Sequence, residues 1–123
     1  MKFSRKKFEE IVAEALDELP AEIAEAMSNV SVFVEPWPSR ETLEEMGLGN
    51  RFELLGLYEG VPLNRRNTSY SAVLPDRITI FQGPIEATGG GRGELKDRIK
   101  SVVVHEIAHH FGIGEKRIRE LGY

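Results

Sequence analysis

With 123 residues, 41% of them apolar and 29% charged, the chain has the size and balance of one domain that buries a core. The formal net charge of −4 argues against a nucleic-acid partner. The lack of cysteine excludes disulfides, thiolate metal sites and a cysteine nucleophile. No run approaches the roughly 18 apolar residues of a membrane span. We therefore predict a single domain over residues 1–123, cytoplasmic and without a membrane partner.

The first half of the chain shows alternating helix and strand patterns. Apolar side chains recur at three- and four-residue spacing after Ser4, which suits a helix N-cap, and Pro20 separates this pattern from the next. Strict alternation of valine with other residues is typical of a strand. These patterns predict helices over Arg5 to Leu19, Ala21 to Met27 and 39–47, and a strand over Val30 to Glu35.

The second half ends in a long helix that carries the most informative residues. Strands are predicted over Phe52 to Tyr58 and Arg77 to Phe81, and a helix over Glu94 to Phe111. The connection from Glu59 to Pro75 is predicted to be irregular, with Arg65, Arg66 and Tyr70 in a solvated loop. The glycine-rich run Thr88 to Gly93 lacks the spacing of a phosphate-binding loop, so we interpret it as a flexible stretch.

A pair of histidines four residues apart lies on this last predicted helix. Positions four apart share nearly one helix face, so His105 and His109 can direct two imidazoles at one metal ion. Glu106 projects about 100° away and can hold a water at the metal without becoming a ligand. A helical wheel places Glu106 on the buried face, where an ionised carboxylate is costly unless it is paired or near a metal.

Two further residues extend the pattern beyond the helix. Gly112 permits the left-handed turn that ends a helix, and Glu115 three residues later can reach the same metal. Two imidazoles and one carboxylate suit zinc, so we predict one Zn²⁺ per chain held by His105, His109 and Glu115. Glu120 is a weaker candidate for the third ligand. His110 falls on the buried side of the wheel and is interpreted as a packed residue rather than a ligand.

The complete pattern His105-Glu106-x-x-His109-x-x-Gly112-x-x-Glu115 resembles the metzincin signature, with a carboxylate replacing the third histidine. The methionine turn of metzincins is missing, because every methionine precedes the motif. The stretch from residue 105 to 122 is more similar to the minimal zincin-like metallopeptidases of bacteria. The similarity rests on His109-His110-Phe111-Gly112, Arg117-Ile118 and Glu120-Leu121-Gly122, and it extends to Pro75 to Phe81.

This resemblance implies a small α+β zincin-like domain, in which a short twisted mixed sheet packs on the active-site helix and the N-terminal helix. It implies a zinc metallopeptidase that hydrolyses peptide bonds with a metal-activated water. Glu106 then acts as general base and afterwards as general acid. The strand Ile78 to Phe81 is expected to be the sheet edge along which a peptide or protein substrate lies extended.

Two other functions stay open from the sequence. One is a non-catalytic module that binds a peptide or a partner and carries only a structural metal. The other is a zinc-dependent RNA-processing hydrolase, against which the acidic net charge and Glu115 in the third ligand position both argue. The presence of a glutamate at position 106 favours catalysis, because a purely structural metal site has no use for a base there.

Overall fold

The computed structural model describes residues 2–60 and 75–123. They form an α+β fold in which helices pack on a mixed three-stranded sheet, so the predicted fold class is confirmed. The helices are α1 (Arg5–Asp17), α2 (Ala21–Ala26), α3 (Arg40–Glu45), α4 (Gln82–Ala87), α5 (Arg92–Phe111) and α6 (Glu115–Glu120). The strands are β1 (Val30–Glu35), β2 (Gly56–Glu59) and β3 (Asp76–Phe81).

Strand β3 lies in the middle of the sheet, whose order is β1-β3-β2. It pairs in parallel with β1, with Val34 opposite Ile80, and antiparallel with β2, with Tyr58 opposite Ile78. The prediction that Ile78 to Phe81 forms the sheet edge is therefore wrong. Both sides of this strand are already hydrogen-bonded to neighbouring strands, which leaves its backbone unable to pair with a peptide.

The core lies between one face of the sheet and the helices α1 and α5. Because side chains alternate along a strand, Ile78 and Ile80 point to the same face of β3, and both are fully buried. Helices α1 and α5 pack against each other and contribute the largest share of the core. Their fully buried apolar residues are Phe8, Ile11, Ala15, Leu95, Ile99, Val103, Val104, Ile107 and Ala108.

Local sequence signals account for the beginning and end of most helices. Ser4 caps α1 by accepting a hydrogen bond from the Lys7 amide at 3.1 Å, as predicted. Helix α1 ends at Asp17, two residues before the predicted end, and the Glu18 amide bonds to the Ala15 oxygen in a tighter final turn. Ser39 caps α3 in the same manner as Ser4 caps α1.

Three segments differ from the sequence-based prediction, one of which is helix α6 (Glu115–Glu120), since no helix was predicted after Phe111. The predicted strand Phe52 to Tyr58 is divided into a 3₁₀ turn over Arg51–Glu53 and the strand β2. The turn begins here because the Asn50 side chain accepts a hydrogen bond from the Phe52 amide. Helix α4 was not predicted, since Gly83 and Pro84 are usually helix breakers. Pro84 lies in the first turn, where its missing N–H has no helical partner to lose.

Three further predictions concern membrane spans, the connection between β2 and β3, and the number of domains. Among the helices of the described residues, none is both long and apolar enough to cross a bilayer. The assignment of Arg65, Arg66 and Tyr70 to a solvated loop lies outside the described residues. The single domain over residues 1–123 stays a prediction.

The C-terminal end of α1 is held to α5 by a small charge cluster, which generates a pH-dependent prediction. Hydrogen bonds from Lys96, at 2.7 Å, and from Lys100, at 3.3 Å, lower the pKa of the Glu18 carboxyl. A carboxyl whose pKa is lowered by folding stabilises the fold above its unfolded pKa, about 4.3, and loses this contribution as the pH falls through the folded value.

We expect Glu18→Gln to lower the thermal unfolding midpoint by about 1–3 °C at pH 7 and low salt, because the pair is solvent-exposed. The difference from the wild type should shrink as the pH falls below the unfolded pKa of about 4.3, because Glu18 then becomes protonated. Calorimetry between pH 2.5 and 7 measures it. Glu25→Gln, on the exposed side of α2, is the matched control. A midpoint difference that persists at pH 2.5 would contradict the electrostatic explanation.

Candidate metal centre

The last two turns of α5 carry the histidines and the glutamate of the predicted motif. His105 and Glu106 are half-buried, whereas the side chain of His109 is 61% exposed. The two imidazole ring centroids lie 6.2 Å apart, with the ring planes inclined by 68°. One turn of helix thus places both rings side by side at the protein surface, as the spacing of four residues predicts.

The His105 ring is oriented by the helix itself. Its Nδ1 lies 2.8 Å from the main-chain oxygen of Ser101. A carbonyl oxygen only accepts hydrogen bonds, so the Nδ1 atom carries the proton and Nε2 keeps its lone pair. This arrangement, with one ring nitrogen bonded to a backbone carbonyl, is the usual setting of a histidine that binds a metal through the other nitrogen.

The turn at Gly112 places the Glu115 carboxylate beside His109. The Gly112 φ of 73° and ψ of 24° end α5 in the left-handed conformation, and the Ile113 amide then bonds to the Ala108 oxygen at 2.8 Å. The chain turns back and α6 begins at Glu115. The Glu115 Oε1 atom consequently lies 3.6 Å from the His109 Nε2 atom.

Glu120, the weaker candidate, has a different setting. Its Oε2 atom accepts a hydrogen bond of 3.2 Å from Arg117, and Arg117 also binds Glu22 of α2. These contacts engage the carboxylate on α6 itself. Of the two acidic residues, Glu115 is the one that the structure places beside His109.

The donor set fits zinc, although the three side chains are more widely spaced than in a closed site. No three acidic or histidine side chains in residues 2–60 and 75–123 are close enough together to enclose a metal ion. Two imidazoles that share one tetrahedral zinc through Nε2 have centroids about 5 Å apart and donor atoms about 3.3 Å apart. The centroids of the two histidine rings are about 1 Å farther apart than in such a site. The distance between His109 Nε2 and Glu115 Oε1 exceeds the donor–donor distance by only a few tenths of an ångström.

Glu106 lies between the two histidines and the sheet. Burial raises the pKa of its carboxyl. A hydrogen bond from the Tyr58 backbone amide and the nearby charges of His109 and His105 act in the opposite direction and lower this pKa. A carboxylate with these surroundings is partly withdrawn from water yet held by a defined donor, which suits a group that accepts and releases a proton.

Strand β2 approaches α5 closely because Gly56 has no side chain. A Cβ atom at this position would lie 2.6 Å from Cγ1 of Val102, one turn before Glu106. Tyr58, two residues further along β2, lies beside the end of the same helix. Its ring stacks on His110 with centroids 3.9 Å apart, and its hydroxyl donates to Asp76 at 2.6 Å.

His110 is placed differently from its prediction. The wheel put it on the buried side, but 43% of its side chain is exposed. It is nevertheless a packed residue, stacked on Tyr58, and its Nε2 atom lies 3.8 Å from Asp76 Oδ2. Sequence reasoning did not single out Tyr58 or Asp76, because only the pairing of β2 with β3 brings them to the end of α5.

Comparison with known proteins shows the family of the chain. No curated protein matches the chain. The sequence model of the family described as zincin-like metallopeptidase matches residues 27–123, which is more than three quarters of the chain and includes β2, β3 and all of α5 and α6. The chain therefore belongs to the zincin-like metallopeptidase family.

Proposed function

We propose that this protein is a zinc-dependent peptidase in which His105, His109 and Glu115 hold one zinc ion and Glu106 transfers the proton. Membership of the family supports zinc and peptidase chemistry in general. The observation that supports the residue assignment is the contact between Glu115 and His109 at the end of α5, beside His105 and Glu106. Glu115 lies 3.6 Å from His109, His105 presents its free nitrogen, and Glu106 is half-buried beside them.

The protein's own residues supply binding, orientation and proton transfer. Zinc, when bound, supplies a Lewis acid that makes water more acidic and polarises the substrate carbonyl. Glu106 accepts a proton from the attacking water while the water oxygen bonds to the carbonyl carbon. The carbon–nitrogen bond then breaks, and Glu106 passes the proton to the leaving amine. Burial raises the pKa of this carboxyl, which makes it a stronger acceptor of the proton.

The substrate is proposed to be a peptide lying beside β2 rather than β3. The Phe81 amide bonds to the Leu55 oxygen, so alternate residues of β2 direct their backbone groups at β3. Gly56 and Tyr58 therefore direct their backbone groups away from β3, towards the side of Glu106. Because the Tyr58 amide interacts with Glu106, a peptide would pair with the other backbone groups of these two residues. In the part of the chain that the structure describes, no strand pairs with β2 on this side. Absence of nucleic-acid and membrane partners and a cytoplasmic location stay predictions.

Metal content is the first test of the ligand assignment. We expect near one zinc per chain in protein purified without a His-tag or chelator, measured by inductively coupled plasma mass spectrometry. His105→Ala and Glu115→Gln should each weaken zinc binding by more than about 100-fold in a competition titration, because each removes a ligand and not merely an outer hydrogen bond.

Two control variants test whether the loss of zinc binding is specific to the proposed ligands. Glu120→Gln changes the acidic residue that binds Arg117, and His110→Phe changes the remaining histidine. Both should bind zinc as the wild type does. A Glu115→Gln variant that retains full affinity while Glu120→Gln loses it would transfer the third ligand to Glu120. No zinc uptake by the wild type, even after dialysis against zinc, would disprove the proposed site.

Glu106 is tested by the smallest possible change. Glu106→Gln keeps the size and hydrogen-bonding shape of the side chain but cannot take a proton, so we expect normal zinc content and a kcat for peptide cleavage lowered by about 100-fold or more. A library of fluorogenic peptides measures the rate. Equal cleavage by wild type and variant would exclude the proposed role. Saturable peptide binding by both proteins without cleavage would instead indicate the non-catalytic module.

A further inference from the structure

Tyr58 connects three elements at the end of the candidate site. It belongs to β2, its hydroxyl donates to Asp76 at the start of β3, and its ring stacks on His110 of α5. The hydrogen bond from the Tyr58 hydroxyl to Asp76 Oδ2 is short, at 2.6 Å. The stacked rings of Tyr58 and His110 are nearly parallel, with 23° between their planes. Phe111 packs against the edge of the same ring, with centroids 6.3 Å apart. The side chain is thus fixed on more than one side.

The main chain of Tyr58 is directed at Glu106. In an antiparallel pair, every second residue directs its N–H and C=O at the partner strand. The Phe81 amide bonds to the Leu55 oxygen, so Leu55 directs its backbone groups at β3. Leu57 and Glu59, two and four residues further on, do the same, opposite Thr79 and Arg77. The amide of Tyr58 therefore points away from β3. Strand β2 meets α5 where Gly56 approaches Val102 and where the Tyr58 ring stacks on His110, one turn before and one turn after Glu106. From this position the Tyr58 amide interacts with the Glu106 carboxylate and lowers its pKa. One residue carries both the anchored ring and the amide that holds the proposed base.

We propose that Tyr58 is a positioning residue, whose ring is fixed by Asp76 and His110 so that its backbone amide holds the Glu106 carboxylate in place for proton transfer. This inference rests on the proposed function, because it concerns the orientation of the same base. Such an arrangement matters for catalysis because a general base must stay within hydrogen-bond reach of the proton that it takes.

The ionisation of the phenol agrees with a permanent donor role. Burial and the hydrogen bond to Asp76 raise the pKa of Tyr58 to about 12, so the hydroxyl keeps its proton throughout the range in which proteins work. A tyrosine that only filled space would be replaceable by phenylalanine without any effect on Glu106.

The hydrogen bond itself is testable in the zinc-free protein by nuclear magnetic resonance. We expect the Tyr58 amide proton to shift upfield in Glu106→Gln, because a charged acceptor is replaced by a neutral one. Tyr58→Phe should shift the amide of residue 58 in the same direction, because the ring is no longer anchored by Asp76. Tyr123→Phe, which removes the hydroxyl of a half-buried tyrosine at another place, should leave this resonance unchanged.

Kinetics test the consequence for catalysis in the zinc-loaded enzyme. We expect Tyr58→Phe to lower kcat by about 3–10-fold with KM changed less than about twofold, since the change acts on proton transfer and not on substrate binding. His110→Phe keeps a flat ring for stacking and should retain most of the kcat. His110→Ala should lose it to the same extent as Tyr58→Phe. The thermal midpoints of all variants verify that they are folded.

The outcomes separate this inference from the proposed function. An unshifted residue 58 amide in Glu106→Gln, or a kcat of Tyr58→Phe equal to that of Tyr123→Phe, overturns the positioning role even in an active peptidase. Rescue by His110→Phe, together with the amide shifts, supports it. A wild type that cleaves no peptide overturns the proposed function, whatever the amide does.

Discussion

The constraint on which this structure depends is that one helix contributes to the core and also carries the residues of the proposed site. Helix α5 is 20 residues long and contributes fully buried residues along its whole length, up to Ile107 and Ala108. Because the helical repeat is 3.6 residues, the positions between them emerge at its margin. His105 and Glu106 occupy such marginal positions, so burial of their neighbours fixes the backbone that carries them. A rigid support of this kind is what a metal or catalytic site requires.

The sheet adds the environment that the helix alone does not provide. Gly56 lets β2 approach α5, and this approach withdraws Glu106 from water and supplies it with a backbone donor. The two effects oppose each other, since burial disfavours the charged carboxylate and the hydrogen bond favours it. The same strand carries Tyr58 to His110 and Asp76, which connects the site to β3. The proposed proton-transfer group and its surroundings thus come from different parts of the chain.

Much of the fold followed from local patterns, and the errors have identifiable physical causes. The caps Ser4 and Ser39 and the alternation in β1 act within a few residues, and the structure confirms them. The position of β3 in the sheet was predicted wrongly, because strand order depends on pairing between distant segments that leaves no local signature. Helix α4 was missed for the opposite reason. Its breakers lie in the first turn, where they cost little.

The amino-acid sequence was sufficient to propose a metal site, since the spacing of His105, Glu106 and His109 has meaning as soon as the segment is helical. It also indicated the turn at Gly112 that returns Glu115 towards His109, because that turn is a local property of glycine. Only the tertiary structure decided which strand lies beside the helix and which residues surround Glu106. Burial, stacking and the donor to a carboxylate arise from contacts between segments far apart in the chain, and no spacing within one segment encodes them.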